Sequence, residues 1–258
     1  MDKTRELEKL FKEWEEKGSY SPKGQKGQFI KDGIVCLEKY EKASVKVLFV
    51  LKDTNDANPQ IYYERGVCDE VLLSDNSGTS WNRIAEWARA LVLGKEDFLQ
   101  ANYLKKEEIE EDDEKDGLRK YFKKIAIMNL KKASGEGSIG YNELEEHVKN
   151  KKEDNIGKIR KEIEIISPDV VIACSRDVFE LLHKEVFKKE QYSISHKITT
   201  LNTKMKDYGN CFDIASFLRS KKPVYVIEYC HPNNRGRGNC SKEEHYENML
   251  KIRDEIWV

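Results

Sequence analysis

The chain lacks the segments that usually divide a polypeptide into separate modules. It has only five prolines in 258 residues and no stretch rich in glycine and serine, so nothing in it reads as an interdomain linker. One domain is expected, with residues 1–44 as an N-terminal helical extension and 45–258 as the core. No apolar run approaches the roughly 18 residues of a membrane span, and Met1-Asp2-Lys3 does not open a signal peptide. A cytoplasmic protein without a membrane partner is expected. The six cysteines, Cys36, Cys68, Cys174, Cys211, Cys230 and Cys240, contain no C-x-x-C pair. This argues against a zinc or iron–sulfur centre and for reduced thiols in the core. Also absent are G-x-G-x-x-G after the first strand, G-x-x-x-x-G-K-[ST] and G-x-S-x-G. Dinucleotide cofactors, P-loop chemistry and a nucleophile elbow are disfavoured accordingly. No metal or organic cofactor is expected, and the expected state is a monomer.

A large net charge is missing too. The formal sum is −1, which taken alone argues against a nucleic-acid partner. One segment distorts it: residues 107–116 hold eight acids and one base, a net of −7, so the remainder carries −1 + 7 = +6. The plain reading of that run is a solvated acidic face, which leaves the rest of the surface able to offer a basic cleft to phosphates.

Against these absences stand four short apolar runs, Val45–Leu51, Ile125–Met128, Val170–Ala173 and Val224–Tyr229. Continuous apolar runs of this length, alternating with helical stretches, read as parallel strands covered on both faces. Helices are expected at 4–17 (Leu7, Leu10, Phe11 and Trp14 on one face), at 81–93 capped by Ser80, at 142–166 ending before Pro168, at 176–189 and at 241–256. Residues 104–123 read as a charged helical region and 52–79 as a long loop. Residues 190–222 suggest an extra β pair and a short helix. The expected architecture is a three-layer α/β/α sandwich on a short four-stranded parallel sheet.

Each of the four runs ends in polar residues: Lys52-Asp53, Asn129, Cys174-Ser175 and His231-Pro232. Ligands of parallel sheets bind at the carboxyl ends of the strands, so these groups are expected to converge on one cleft. Three local sequences are the most informative: Phe49-Val50-Leu51-Lys52-Asp53-Thr54-Asn55-Asp56, Ile125-Ala126-Ile127-Met128-Asn129-Leu130 and Val226-Ile227-Glu228-Tyr229-Cys230-His231-Pro232-Asn233. Together and in this order they resemble the uracil-DNA glycosylase superfamily. In that family the first strand ends in Gly-Gln-Asp-Pro-Tyr-His or Gly-x-Asn-Pro, a middle strand in a base-reading Asn, and the last in His-Pro-Ser. Ser80-Trp81-Asn82-Arg83-Ile84 resembles the family's helix start Ser-Leu-x-Asn, and Pro168–Ser175 its third strand. The resemblance covers about residues 45–257.

The resemblance implies a hydrolase that flips a pyrimidine out of single- or double-stranded DNA and cleaves its N-glycosidic bond, in base excision for repair or for defence against foreign DNA. The chemistry calls for an anion near an oxocarbenium-like sugar, a donor for the departing base and an amide for its edge. Asp53 and His231 take the first two roles as catalytic residues, and Asn129 reads the base. The chain departs from the family pattern in placing Thr54-Asn55 where the uracil-specific branch has Pro-Tyr. A smaller Asn55 in the pocket suits a C5-modified pyrimidine, such as a glucosylated cytosine of phage DNA, beside the default uracil. Tyr62 or Tyr63 is nominated to stack on the base. Ser80, Lys131, Ser175, Asn233, Arg235 and Arg237 are candidates for DNA contact, the last three from the loop that replaces the usual Ser and wedge Leu. Lys52 has no counterpart in the family.

Plainer readings stand beside these. Asp53 and Asn129 are also ordinary turn residues, Ser175 an N-cap, His231 a structural histidine, and Arg235 and Arg237 solvated cations. Trp81, Trp87 and Trp257 fit the core better than a base-stacking platform. His147, His183, His196 and His245 show no ligand spacing. The alternative from another class is a non-catalytic module that grips nucleic acid with the same fold.

Overall fold

The computed structural model describes residues 2–16, 28–54, 59–73, 79–93, 119–133, 139–150, 154–187, 196–201, 203–233 and 240–257. In chain order the elements are α1 (Lys3–Glu16), β1 (Gly33–Ile34), α2 (Leu37–Glu41), β2 (Val47–Leu51), α3 (Pro59–Leu73), α4 (Thr79–Leu93), α5 (Arg119–Phe122), β3 (Ile125–Asn129), α6 (Tyr141–Val148), α7 (Asn155–Ile166), β4 (Val170–Cys174), α8 (Arg176–Leu181), β5 (His196–Lys197), β6 (Asn210–Asp213), α9 (Ala215–Leu218), β7 (Tyr225–Tyr229) and α10 (Lys242–Trp257). A π-helical turn, Leu182–Val186, extends α8.

The four apolar runs form β2, β3, β4 and β7, and they pair in parallel in the order β3-β2-β4-β7. Their side chains alternate between two cores, as the period of two in a strand requires. Val47, Phe49, Ile127, Ile172 and Tyr229 face α4 and α10, meeting Ile84, Trp87, Leu91 and Met249. Leu48, Val50, Met128, Val171 and Val226 face α1, α6 and α7, meeting Trp14, Leu144, Ile159 and Ile163. Helices therefore cover both faces. Trp87 sits edge-on to Tyr229 with ring centroids 5.0 Å apart, and Trp81 packs edge-on against Phe122; both serve the core. Nothing is described of the Trp257 side chain.

The sheet is not the four-stranded parallel one expected. It is a mixed sheet of seven strands, β1-β3-β2-β4-β7-β6-β5, with antiparallel additions at both edges. β1 escapes periodicity because it is only two residues long. The β pair and short helix expected in 190–222 are β5, β6 and α9. The described part of residues 1–44 packs into the fold: α1 seals one core, β1 pairs with β3, and Phe29 bridges to Ala133.

Three further expectations change. The helix expected over 142–166 is two helices, α6 and α7. Asp154 caps the second, its carboxylate accepting the Gly157 N–H at 3.2 Å. Asn155 then ties the pieces together, accepting from the Trp14 indole at 3.0 Å and donating to the His147 carbonyl at 2.7 Å. The end before Pro168 stands, with Ser167 in the left-handed region at φ 52°. The loop expected over 52–79 contains α3, which Pro59 opens at a position where its missing N–H costs nothing. At Gly66 (φ 75°) α3 is interrupted and passes the Lys31 carbonyl so closely that a Cβ would lie 3.1 Å from it. Ser80 does not cap α4 but lies inside its first turn.

Candidate active site at the carboxyl ends of the parallel strands

Because β3, β2, β4 and β7 run the same way, their carboxyl ends share one edge of the sheet. The register places Leu51 opposite Asn129 and Cys174 opposite Tyr229. Asn129, Lys52-Asp53, Ser175 and His231 thus leave adjacent strands in that order. With neighbouring strands about 4.8 Å apart, the backbone from the first to the last spans roughly 14 Å.

The β2 and β3 ends are stitched together beyond the sheet: Leu130 N–H donates to Leu51 O at 3.0 Å and Lys131 N–H to Lys52 O at 2.9 Å. Asn129 N–H donates to Asp32 Oδ2 at 2.6 Å. The Asn129 side chain is different. It is 1% exposed, and neither its oxygen nor its nitrogen has a hydrogen-bond partner among the described residues. An unpaired buried polar group costs about 1–3 kcal/mol, so a carboxamide left this way asks for a reason.

Asp53 is half-buried, and burial raises its carboxyl above the usual value. The Lys131 and Lys52 ammonium groups oppose that shift, while Glu143 adds to it. His231 is pushed down to about 4, first by burial and then by the charge of Lys52, so its imidazole is neutral at neutral pH. Asn233 N–H donates to Nδ1 of His231 at 3.1 Å. Nδ1 is thereby the acceptor, and the proton of the neutral ring sits on Nε2.

The first turn of α4 braces this histidine. Arg83 donates to the Pro232 carbonyl, and the Ser80 hydroxyl bonds the Asn233 side chain. Ser80 and Asn233, both candidates for DNA contact, are thus partners of one another. Ser175 caps α8, accepting the Val178 N–H at 3.2 Å. Lys131 is not a loop cation offered to phosphate: its side chain is buried and its ammonium lies 3.5 Å from Glu143. Tyr62 and Tyr63 fall in α3, but their side chains lie outside the described set. So do Asn55, Arg235 and Arg237.

Sequence reasoning missed the groups behind the edge. Asp32 holds Asn129 and accepts from Lys132, which also donates to Glu162. All three are buried, and nothing in a chain so rich in charge marks these positions. Asp177, the partner of Lys52, was missed as well. Among the described residues no group of three His, Cys, Asp or Glu is placed to hold a metal ion, and no helix is long and apolar enough to cross a membrane. His147, His183 and His245 are buried; the His196 side chain lies outside the described set. Neither protein-family profiles nor curated protein sequences match the chain.

The two depressed histidines predict an acid-labile fold. His245 is also pushed down to about 4, by burial and by Arg83, and its Nδ1 lies 2.9 Å from the Tyr229 hydroxyl. As pH falls from 6.5 toward 4, the unfolded chain takes up two protons that the folded chain refuses, so stability declines through that window. Asp53 and Glu86, both raised by burial, act in the opposite sense near its lower end. Urea midpoints should therefore drop as the buffer is acidified from neutrality, and less so in His231→Gln/His245→Gln. An equal drop in that double variant would remove the histidines as the cause.

Proposed function

We propose that the chain is a DNA glycosylase that hydrolyses the N-glycosidic bond of a flipped-out pyrimidine and leaves an abasic site. The three-layer arrangement would present the strand-end edge to DNA, with a single copy acting in the cytoplasm and no metal required. The observation that carries the proposal is the Asn129 carboxamide, buried and unpaired on the same sheet edge as Asp53 and His231. An amide offers a donor and an acceptor side by side, the complement of a pyrimidine edge, and a bound base would supply the bonds that the described residues do not.

The chemistry follows from the neighbours. As the C1′–N bond breaks, its electron pair goes to the base and the sugar becomes oxocarbenium-like. The neutral His231 donates from Nε2 to the base oxygen that gains charge. It need not give up its proton, because a ring driven down to about 4 is a donor and not a general acid at neutral pH. Asp53 faces the sugar, steadies the cation and orients water. Water adds at C1′ and releases a proton, and the base anion takes one from solvent. The resemblance of the strand-end motifs to the uracil-DNA glycosylase superfamily supports the same assignment.

The test is base release in EDTA from single- and double-stranded oligonucleotides carrying uracil, 5-hydroxymethylcytosine or its glucosylated form, scored as alkali-labile sites. Release from at least one is expected, and Asp53→Asn should slow it about 100-fold with DNA binding kept. DNA binding without release of any base would assign the fold to a non-catalytic binding module instead.

A further inference from the structure

Lys52 stands outside the strand-end resemblance, and its surroundings give it a task. It follows β2, and its ammonium pairs with the Asp177 carboxylate. Asp177 lies in the first turn of α8, directly after β4. In the sheet β4 separates β2 from β7. The Lys52 side chain therefore reaches from the strand that leads to Asp53 to the helix that follows β4, the neighbour of the strand that leads to His231. Its side chain is 21% exposed and that of Asp177 32%, so solvent screens the charge only in part. Both neighbours feel it: Lys52 opposes the rise at Asp53 and adds to the depression at His231.

We infer that Lys52, latched by Asp177, is the fixed cation of the site and receives, beside His231, the negative charge of the departing pyrimidine. The inference rests on the glycosylase proposal above. A neutral imidazole offers the leaving base one N–H dipole. Breaking the C1′–N bond delivers a full negative charge, and a positive charge already held in a partly desolvated cleft needs no reorganisation to meet it. The salt bridge supplies that preorganisation, since a free lysine would spend its time in water. A pyrimidine anion should consequently bind better than a neutral pyrimidine of the same size.

Uracil and 5-fluorouracil provide that pair. At a pH of about 9, 5-fluorouracil is largely ionised and uracil is not. Binding to the full chain is followed through the ring nitrogen resonances of His231, identified by their loss in His231→Gln. The wild-type protein should bind 5-fluorouracil about tenfold more tightly, a modest return for opposite charges in a half-buried cleft. The preference should vanish in Lys52→Met and in Lys52→Gln, and persist in Lys52→Arg. A fold that tolerates only one of the two neutral variants still decides the matter. No preference in the wild type, or one that survives loss of the charge, overturns the role of Lys52 and leaves the pyrimidine site standing. If neither base perturbs His231 in the wild type, the role of Lys52 falls, while release of uracil or a modified cytosine from DNA decides the glycosylase proposal separately.

Discussion

Replacing Lys132 with methionine is expected to cost the fold about 3–5 kcal/mol, the penalty for removing one partner of a buried ionic cluster. The ammonium donates to Asp32 and lies 3.0 and 2.8 Å from the two Glu162 oxygens. It also stands 5.5 Å from the ring centroids of Phe11 and Trp14. Burial alone would pull Lys132 down, but the two carboxyl groups outweigh it and hold the ammonium above its ordinary value. Burial pushes Glu162 well above the usual carboxylate range, with Asp32 adding to the push and Lys132 opposing it. Methionine fills the space of lysine but leaves Asp32 with no cation, in an interior where each unpaired ion costs several kcal/mol. Chemical denaturation at neutral pH measures the loss. The triple change Asp32→Asn, Lys132→Met, Glu162→Gln should recover much of it by removing every charge at once. A single variant within about 1 kcal/mol of wild type would mean that the cluster is wetter than its burial indicates.

The central sheet was legible because four apolar runs leave no other place for themselves than a doubly covered layer. Every residue of β2, β3 and β4 is buried, so the hydrophobic signal there is continuous and strong. The α1 face was equally clear, since Leu7, Leu10, Phe11 and Trp14 repeat at helical spacing and all four are buried. What could not be read depends on contacts remote in sequence. β1 exists because Gly33 and Ile34 meet Ile127 and Ala126, nearly a hundred residues away. The division of 142–166 into two helices follows from Asp154 and Asn155 finding better partners than a continued helix offers. α3 was hidden by the Asn, Asp and Gly residues on either side of it, although Pro59, Val67 and Val71 were available as signals.

For the site, the strand ends of Asp53, Asn129 and His231 were legible because a parallel sheet fixes which end of each strand they share. The surrounding charge was not. Lys131 had the appearance of a surface cation and is buried against Glu143, while Lys132 beside it is sealed in the core. Adjacent lysines in a chain with 36% charged residues carry no mark of which will be desolvated. That outcome is decided by Asp32 and Glu162, which the fold delivers from opposite sides in sequence. The brace on His231 was hidden for the same reason, since Ser80 and Arg83 lie about 150 residues before it and meet it only in the fold.

Asn129→Leu is expected to move stability and activity in opposite directions. Leucine repeats the branching of asparagine at Cγ and replaces with methyl groups two buried polar atoms that have no partner among the described residues. Removing an unsatisfied amide in this way should raise the unfolding free energy by about 1–2 kcal/mol. The backbone bond from residue 129 to Asp32 is untouched by the change, so the strand end keeps its anchor. Base release should meanwhile fall by about 10²–10³, the range for loss of one preorganised polar partner of a transition state. Equilibrium denaturation and single-turnover release on the same preparation read the two effects together. A carboxamide that supported the fold would show the reverse, with leucine destabilising the protein through lost hydrogen bonds. Loss of stability in Asn129→Leu would therefore make the amide structural and leave the proposed pocket without its base reader, whatever Asp53 and His231 do.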